Sequence, residues 1–302
     1  MKRLVQALLV LLLVSLLLFI MLRIVPGNPV AVLMGEHANQ ETIDRVTAEL
    51  GLDQPIHVQF FRYLTGAVRG DFGTSYSLGK PVSQLIGSAF LNTLLLSLAA
   101  ALFAWITGGI CGVLAAIRKN SIADRLFMGF SLLGISMPVF MVAMILQYVF
   151  AYWLHWVPIS GTADWRSFIL PAIALGWNSA GSIARLIRSA LLDILEDDYI
   201  DTARAKGLSK TSVLFRHALR NTMLPTVTMM TLQFSALLSG AVITETIFSI
   251  NGIGRLAVQA INARDVPLLQ GTVLFSTALV ILGNLIADLL YKVLDPRTRK
   301  EA

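Results

Sequence analysis

Glu196, Asp197, Asp198 and Asp201 are followed closely by Arg204, Lys206, Lys210, Arg216, His217 and Arg220. They make residues 196–225, EDDYIDTARAKGLSKTSVLFRHALRNTMLP, a charged island between two long apolar stretches. The chemistry on offer is recognition rather than catalysis. Flanking charges set the register of a partner, and small side chains let two backbones approach closely. The island parses into two short helices. Acids crowd the start of the first, and Arg204 and Lys206 stand at its end, an order that suits the helix dipole. Gly207 then supplies a C-terminal stop, and Ser209 caps a second helix over about 210–222 by accepting from a free backbone N–H. Ala203, Ala205 and Gly207 form a small-residue tip fit for a groove. The residues alone leave two readings open: a docking element, or a solvated amphipathic loop.

Other chemistry is poorly provided for. The pair Gly79-Lys80 is followed by Pro81, so the phosphate-cradling pattern G-x-x-x-x-G-K-[ST] is missing and the chain is not expected to hydrolyse ATP. Gly252-x-Gly254 lacks the third glycine of a dinucleotide turn. His37, His57, His155 and His217 are scattered without ligand spacing, so no metal site is expected, and no serine–histidine arrangement suggests hydrolysis. The single cysteine, Cys111, lies in an apolar stretch and reads as a packed residue.

The elements that position the island are membrane spans. Of 302 residues, 56% are hydrophobic and 14% charged, against roughly 25% charged in a soluble domain. Six apolar stretches, at 4–25, 91–117, 126–153, 168–187, 223–248 and 269–290, each reach the length that crosses a bilayer as a helix. The fourth is diluted by Pro171, Gly176, Asn178, Ser179 and Ser182, so its polar face should point into the protein. Pro138 should kink the third. Lys2, Arg3, Arg118, Lys119, Arg125, Arg185, Arg188, the cations of the island and Lys292, Arg297, Arg299 and Lys300 fall on one side of a six-span layout. That side is therefore cytoplasmic and holds both termini. The net charge of +6 reflects this topology and does not indicate nucleic acid. The first stretch is too long for a signal peptide, and Arg23-Ile24-Val25-Pro26 follows it in place of a cleavage site, so an uncleaved helix is expected. The non-cytoplasmic loop 26–90 should carry helices over 40–50 and 55–69, the second presenting Ile56, Phe60, Leu64 and Val68 along one face. These helices either cap the bundle or dock an external partner.

Ionisable groups in the spans are few. Asp288, near the inner end of the sixth, is expected to pair with a boundary cation rather than relay protons. Glu245, near the outer end of the fifth, either lines an outer mouth or fixes the outer loop. Asn178, Ser182, Thr231, Gln233 and Ser239 are candidate path-lining groups, with helix packing as their alternative use.

The stretch DTARAKGLSKTSVLFRHALRN, 201–221, resembles the cytoplasmic coupling motif of bacterial ABC importer permeases, especially the dipeptide/oligopeptide/nickel branch. LRIVPGNP at 22–29, LGLDQP at 50–55, GDFGTSY at 70–76 and ETIFSINGIGRL at 245–256 agree, so the resemblance covers nearly the whole chain. Against the general motif, Asp201 replaces Glu, Thr202 replaces Ala and Arg220 stands where Pro is usual. Asn251 also stands where these proteins often carry Pro. The resemblance implies an all-α integral membrane protein of six transmembrane helices. It would have the type I ABC importer permease fold, with a long periplasmic loop after the first helix. Residues 1–302 would form a single transmembrane permease domain, with 26–90 as the periplasmic loop and 190–225 as the cytoplasmic coupling region. The expected location is the bacterial inner membrane. A homologous second permease, two cytoplasmic ATPases holding ATP and Mg, and a substrate-binding protein would be partners; this chain would bind no cofactor. Asp201, Ala203 and Gly207 would form the docking tip, and Arg204, Lys206, Arg216 and Arg220 would register it by charge. The implied cargo is dipeptides or oligopeptides, with nickel, a metal chelate or glutathione as the alternative. A stand-alone ion-coupled carrier is a further reading, opposed by the lack of a midplane acid.

Overall fold

The computed structural model describes residues 2–24, 40–49, 51, 53–238 and 241–294. Helix α1 (Lys2–Ile24) is followed by α2 (Gln40–Glu49) and α3 (Ile56–Val68). Then come α4 (Val82–Ile117), α5 (Ile122–Ser136) and α6 (Val139–Leu146), the last running on as a π-helical turn, Gln147–Trp153. After α7 (Ile169–Leu195) the island contributes α8 (Asp198–Ala205) and a second helical run, Lys210–Ser212 and the π turn Val213–Ala218. That run passes without a stop into α9 (Leu219–Leu238). Three helices complete the chain: α10 (Val242–Ile247), α11 (Ile253–Asn262) and α12 (Val266–Leu294).

The central contact is between α4 and α7. Apolar surface gives little drive for helices to associate inside lipid, so association depends on close backbone approach. Gly108 and Gly112, four apart on α4, provide it. A Cβ at Gly108 would lie 2.7 Å from the Ala180 carbonyl oxygen, and one at Gly112 would lie 2.6 Å from that of Ala184. Gly176 answers from α7, where a Cβ would meet the Ala100 carbonyl oxygen at 2.5 Å. Between these points Ala104, Ile183 and Ile187 form a buried cluster. At the far end from the island, Leu96, Ala100, Val142, Ala172, Phe248 and Ile250 pack together. At the island end, Ala116, Leu191, Ile200, Ala203, Val213 and Ala218 do the same.

The expected six spans are corrected in part. Among the described residues four helices are long and apolar enough to cross a membrane: Val5–Ile24, Val82–Ile117, Trp165–Leu195 and Val266–Leu289. A fifth crossing is available only if the pair Ile122–Ser136 and Val139–Trp153 counts as one span, and these meet at 107°. Pro138 thus makes a corner rather than a kink. Met137 before it is extended (φ −83°, ψ 130°), as a pre-proline residue prefers, and Pro138 becomes the N-cap of α6. The expected fifth span falls short because Pro225, Gln233 and a series of threonines dilute α9. On α3 the packed face also differs from the expected one. Ile56 and Val68 are exposed, while Gln59 is buried and Phe60 and Tyr63 set their rings 5.3 and 6.3 Å from Phe19 of α1.

Gly112→Leu is expected to destabilise the bundle by about 3 kcal/mol or more through overpacking. Gly109→Leu, whose added Cβ meets nothing within 4 Å, should change it by less than about 0.5 kcal/mol. Thermal unfolding of the purified protein in detergent checks both; equal effects would remove the close-approach argument.

Candidate functional site

The island folds as a knob at one end of α7. Asp198 and Asp201 occupy the first turn of α8 and Arg204 its last, as the dipole favours. Gly207 takes φ +79°, a left-handed conformation that ends the helix without strain only in glycine. Ser209 Oγ accepts the backbone N–H of Ser212 at 3.3 Å and starts the second run. Asn221 Nδ2 donates to the Tyr199 hydroxyl at 2.7 Å, pinning α8 to the start of α9.

The expected tip residues do not all face outward. Ala203 lies buried against Ala116, Leu191, Ile200, Val213 and Ala218, so it anchors the knob to its own chain. Arg204 pairs with Asp201 at 2.8 Å and donates to the Leu195 carbonyl oxygen at 3.3 Å, capping the end of α7. Lys206, Gly207, Arg216 and Arg220 are exposed. Sequence reasoning missed Leu208 and Phe215, large apolar side chains 40% and 62% exposed on the same knob. Their signal is an apolar residue left outside a charged helical stretch once Val213 and Ala218 take the inner face.

Two ion pairs hold the knob's root. Arg188 of α7 grips Asp124 at the start of α5, Nε to Oδ1 at 2.7 Å and a second nitrogen to Oδ2 at 2.8 Å. The backbone N–H of Asn120 also donates to Asp124 Oδ2 at 2.9 Å. Lys119, just after α4, meets Glu196 at 2.8 Å, and that hydrogen bond holds the exposed Glu196 carboxyl below its ordinary range.

At the opposite end carboxylates serve as backbone caps. Glu245 is fully buried; Oε1 accepts from Thr93 Oγ1 at 2.8 Å and Oε2 from the Arg255 backbone N–H at 2.9 Å. Gly252 lies so close to this carboxylate that no Cβ fits between them. Of the two uses weighed for Glu245, this geometry describes the fixing of a loop. Asp265 accepts from Ser75 Oγ at 2.6 Å and from the Ser77 backbone and hydroxyl at 2.9 and 2.7 Å, while Oδ1 accepts from Leu268 N–H at 3.2 Å. Burial alone would raise the Asp265 carboxyl, but these hydrogen bonds outweigh it and hold the group below its ordinary range.

The candidate path residues divide. Asn178 Nδ2 donates weakly to the Gly134 and Ile135 carbonyl oxygens at 3.5 and 3.4 Å, beside the Pro138 corner. Ser182 borders an open cavity between α5, α7 and α9. Thr231 returns its hydroxyl to the Val227 carbonyl of its own helix at 2.8 Å. Gln233 Oε1 is buried without a hydrogen-bond partner among the described residues. Ser239 lies outside the described residues. No group of three or more histidine, cysteine, aspartate or glutamate side chains is placed to hold a metal among the described residues.

Fold and site together describe a helical membrane protein with a charged knob at one end. Residues 108–300 match the family described as binding-protein-dependent transport system inner membrane component, and residues 1–99 match its N-terminal companion. The chain belongs to this family. It is similar to the glutathione transport system permease protein GsiC of Salmonella paratyphi A, 43% identical over 298 residues, 99% of this chain and 97% of that one. The protein of the same name from Escherichia coli K12 is 41% identical over the same shares. Among solved structures it resembles the inward-facing MetNI methionine ABC transporter (TM-score 0.60, 17% identity, 70% of this chain and 97% of that one). It also resembles an amino acid ABC transporter solved with histidines (TM-score 0.56, 16% identity, 70% and 94%). The fold is that of an all-α type I ABC importer permease. The chain is a multi-pass inner-membrane component of a binding-protein-dependent transport system.

Asp124→Asn is expected to cost about 2–3 kcal/mol, below the full value for a buried pair because Arg188 is 27% exposed. Adding Arg188→Gln should cost little more, since the stranded charge is gone. A double-mutant cycle on thermal unfolding measures the coupling; additive losses would mean that the pair does not act as a unit.

Proposed function

We propose that this chain forms half of the translocation path of an ATP-driven importer for glutathione. The observation that carries the substrate is 41–43% identity, over nearly full length, to permeases named for glutathione transport. The reading first favoured from sequence, dipeptides or oligopeptides, stands second, and it shares the same machinery. A homologous permease completes the path, two ATPases bind beneath, and a binding protein delivers cargo from outside.

The knob faces the cytoplasm, both termini lie on that side, and residues 1–302 make one permease domain with 26–90 outside. Six crossings follow if the bent pair α5–α6 and the diluted α9 each count as one. The polarity of α9 suits a helix that packs on α12 and α7 and borders the path rather than facing lipid. In the docked complex Gly207, Leu208 and Phe215 enter a cleft of one ATPase, while Asp201, Lys206, Arg216 and Arg220 set the register. ATP binding closes the ATPase pair and rotates the permease halves as bodies.

Gly207→Leu forces a β-carbon into the left-handed region, at about 1–2 kcal/mol, and adds bulk at the tip. It is expected to leave membrane insertion intact and to cut both uptake and cargo-stimulated ATPase activity by at least about tenfold. Normal coupling in this variant would remove the docking assignment. For cargo, uptake of labelled glutathione by the assembled importer should be competed by excess glutathione and not by dialanine. The reverse result would move the assignment to dipeptides.

A further inference from the structure

Asn178, Ser182, Arg185 and Ser189 follow one another at i, i+4, i+7 and i+11, so they share one face of α7. Asn178 reaches the end of α5. The other three border an open cavity of about 620 Å³, lined elsewhere by Met128 of α5 and Met229 of α9, with Arg188 also on its wall. That is within the size range of small-molecule sites. The two arginines differ in use. Arg188 is committed to Asp124 through two hydrogen bonds. Arg185 is exposed in the cavity and makes no hydrogen bond or ion pair with any described residue. The nearest acid along its own helix, Asp193, lies two turns on, about 12 Å at the helical rise. Arg185 stands near the cytoplasmic end of the span, exposed and without a counter-charge among the described residues, and its planar fork matches a carboxylate.

We propose that this cavity is a chamber for a small peptide anion, in which Arg185 holds a substrate carboxylate through paired N–H donors. Ser182 and Ser189 supply hydroxyl partners on the same face. Met128 and Met229 give an adaptable apolar wall for the remainder of the molecule. The proposal rests on the importer reading above and adds to it the group that recognises the cargo's charge. Glutathione, with two carboxylates and one ammonium, is the anion it is matched to.

The test uses the whole importer, with partner subunits, in proteoliposomes. Arg185→Gln is expected to lower glutathione uptake by about ten- to a hundredfold, the loss of a charge-assisted contact, while loaded binding protein still stimulates ATPase activity. Arg185→Lys should recover only part of uptake, because an ammonium keeps the charge but not the paired fork. A second measurement is direct. On a Cys111→Ala background, Ser189→Cys is labelled by a water-soluble maleimide with and without S-methylglutathione on the cytoplasmic side. Protection of severalfold is expected with Arg185 present and none with Arg185→Gln. Several results would overturn the proposal: undiminished uptake by Arg185→Gln, absence of protection, loss of the second permease on purification of Arg185→Gln, or a defect seen only with anionic lipid. The last two would identify the counter-charge as a neighbouring subunit or a lipid headgroup. If dialanine is imported in place of glutathione and its uptake depends on Arg185, the glutathione reading falls and the chamber stands. If glutathione is imported equally by both forms, the chamber falls and that reading stands.

Discussion

Close approach of α4 and α7 is the constraint on which the rest of the structure depends. In a bilayer the core of a helix pair is no more apolar than the lipid around it, so contact must come from fit. Gly108, Gly112 and Gly176 place the two backbones where a single added carbon would strike a carbonyl oxygen. This fixes the rotation of α7 about its axis. With Ile183 and Ile187 turned to α4, Asn178, Ser182, Arg185 and Ser189 are left on a different face, beside α5 and α9. The polar stripe is thus set by where glycine permits the partner helix, not by the stripe itself.

The acids at the two ends show two uses of the same group. Glu245 and Asp265 at one end spend their oxygens on backbone N–H groups and hydroxyls, with no cation as partner among the described residues. Each ties together segments far apart in sequence: Thr93 to the start of α11, and the 75–77 turn to the start of α12. Asp124 and Glu196 at the island end are matched with Arg188 and Lys119. The first group makes a stiff rim. The second makes links between helix ends, one exposed (Lys119–Glu196) and one largely buried (Arg188–Asp124), that tolerate small rotations, since charge attraction falls off slowly with distance.

How much of this was legible in the sequence varied with the range of the forces involved. Local chemistry was readable: the left-handed stop at Gly207, the cap from Ser209 and the acid-to-base order along α8 follow from neighbouring residues and are present as expected. The inward turn of Ala203 and the outward display of Phe215 were not readable, because they depend on where Leu191 and Ala116 stand. The 107° corner at Pro138 was read only as a kink, since proline breaks one hydrogen bond but the packing of both arms sets the angle. The π turn Val213–Ala218 left no sequence signal; it joins two helices into one run where a stop near 222 was expected. Glu245 was recognised as an outer-end acid, but its loop-fixing geometry needed Thr93, 152 residues away.

Force applied at the knob has a defined route through these contacts. The exposed side chains Leu208 and Phe215 belong to segments whose buried members, Ile200, Ala203, Val213 and Ala218, interlock with Leu191 of α7 and Ala116 of α4. A packed apolar cluster transmits displacement because its atoms cannot be compressed apart from one another. Arg204 adds a polar link to the final turn of α7, and Arg188 carries the motion on to α5. Movement of the knob is therefore movement of the lower ends of α4, α5 and α7 together, and those of α5 and α7 are two walls of the cavity that holds Arg185. The cavity is thus joined to the knob by packed and ion-paired contacts, whereas the hydrogen-bonded rim stands at the other end of the bundle.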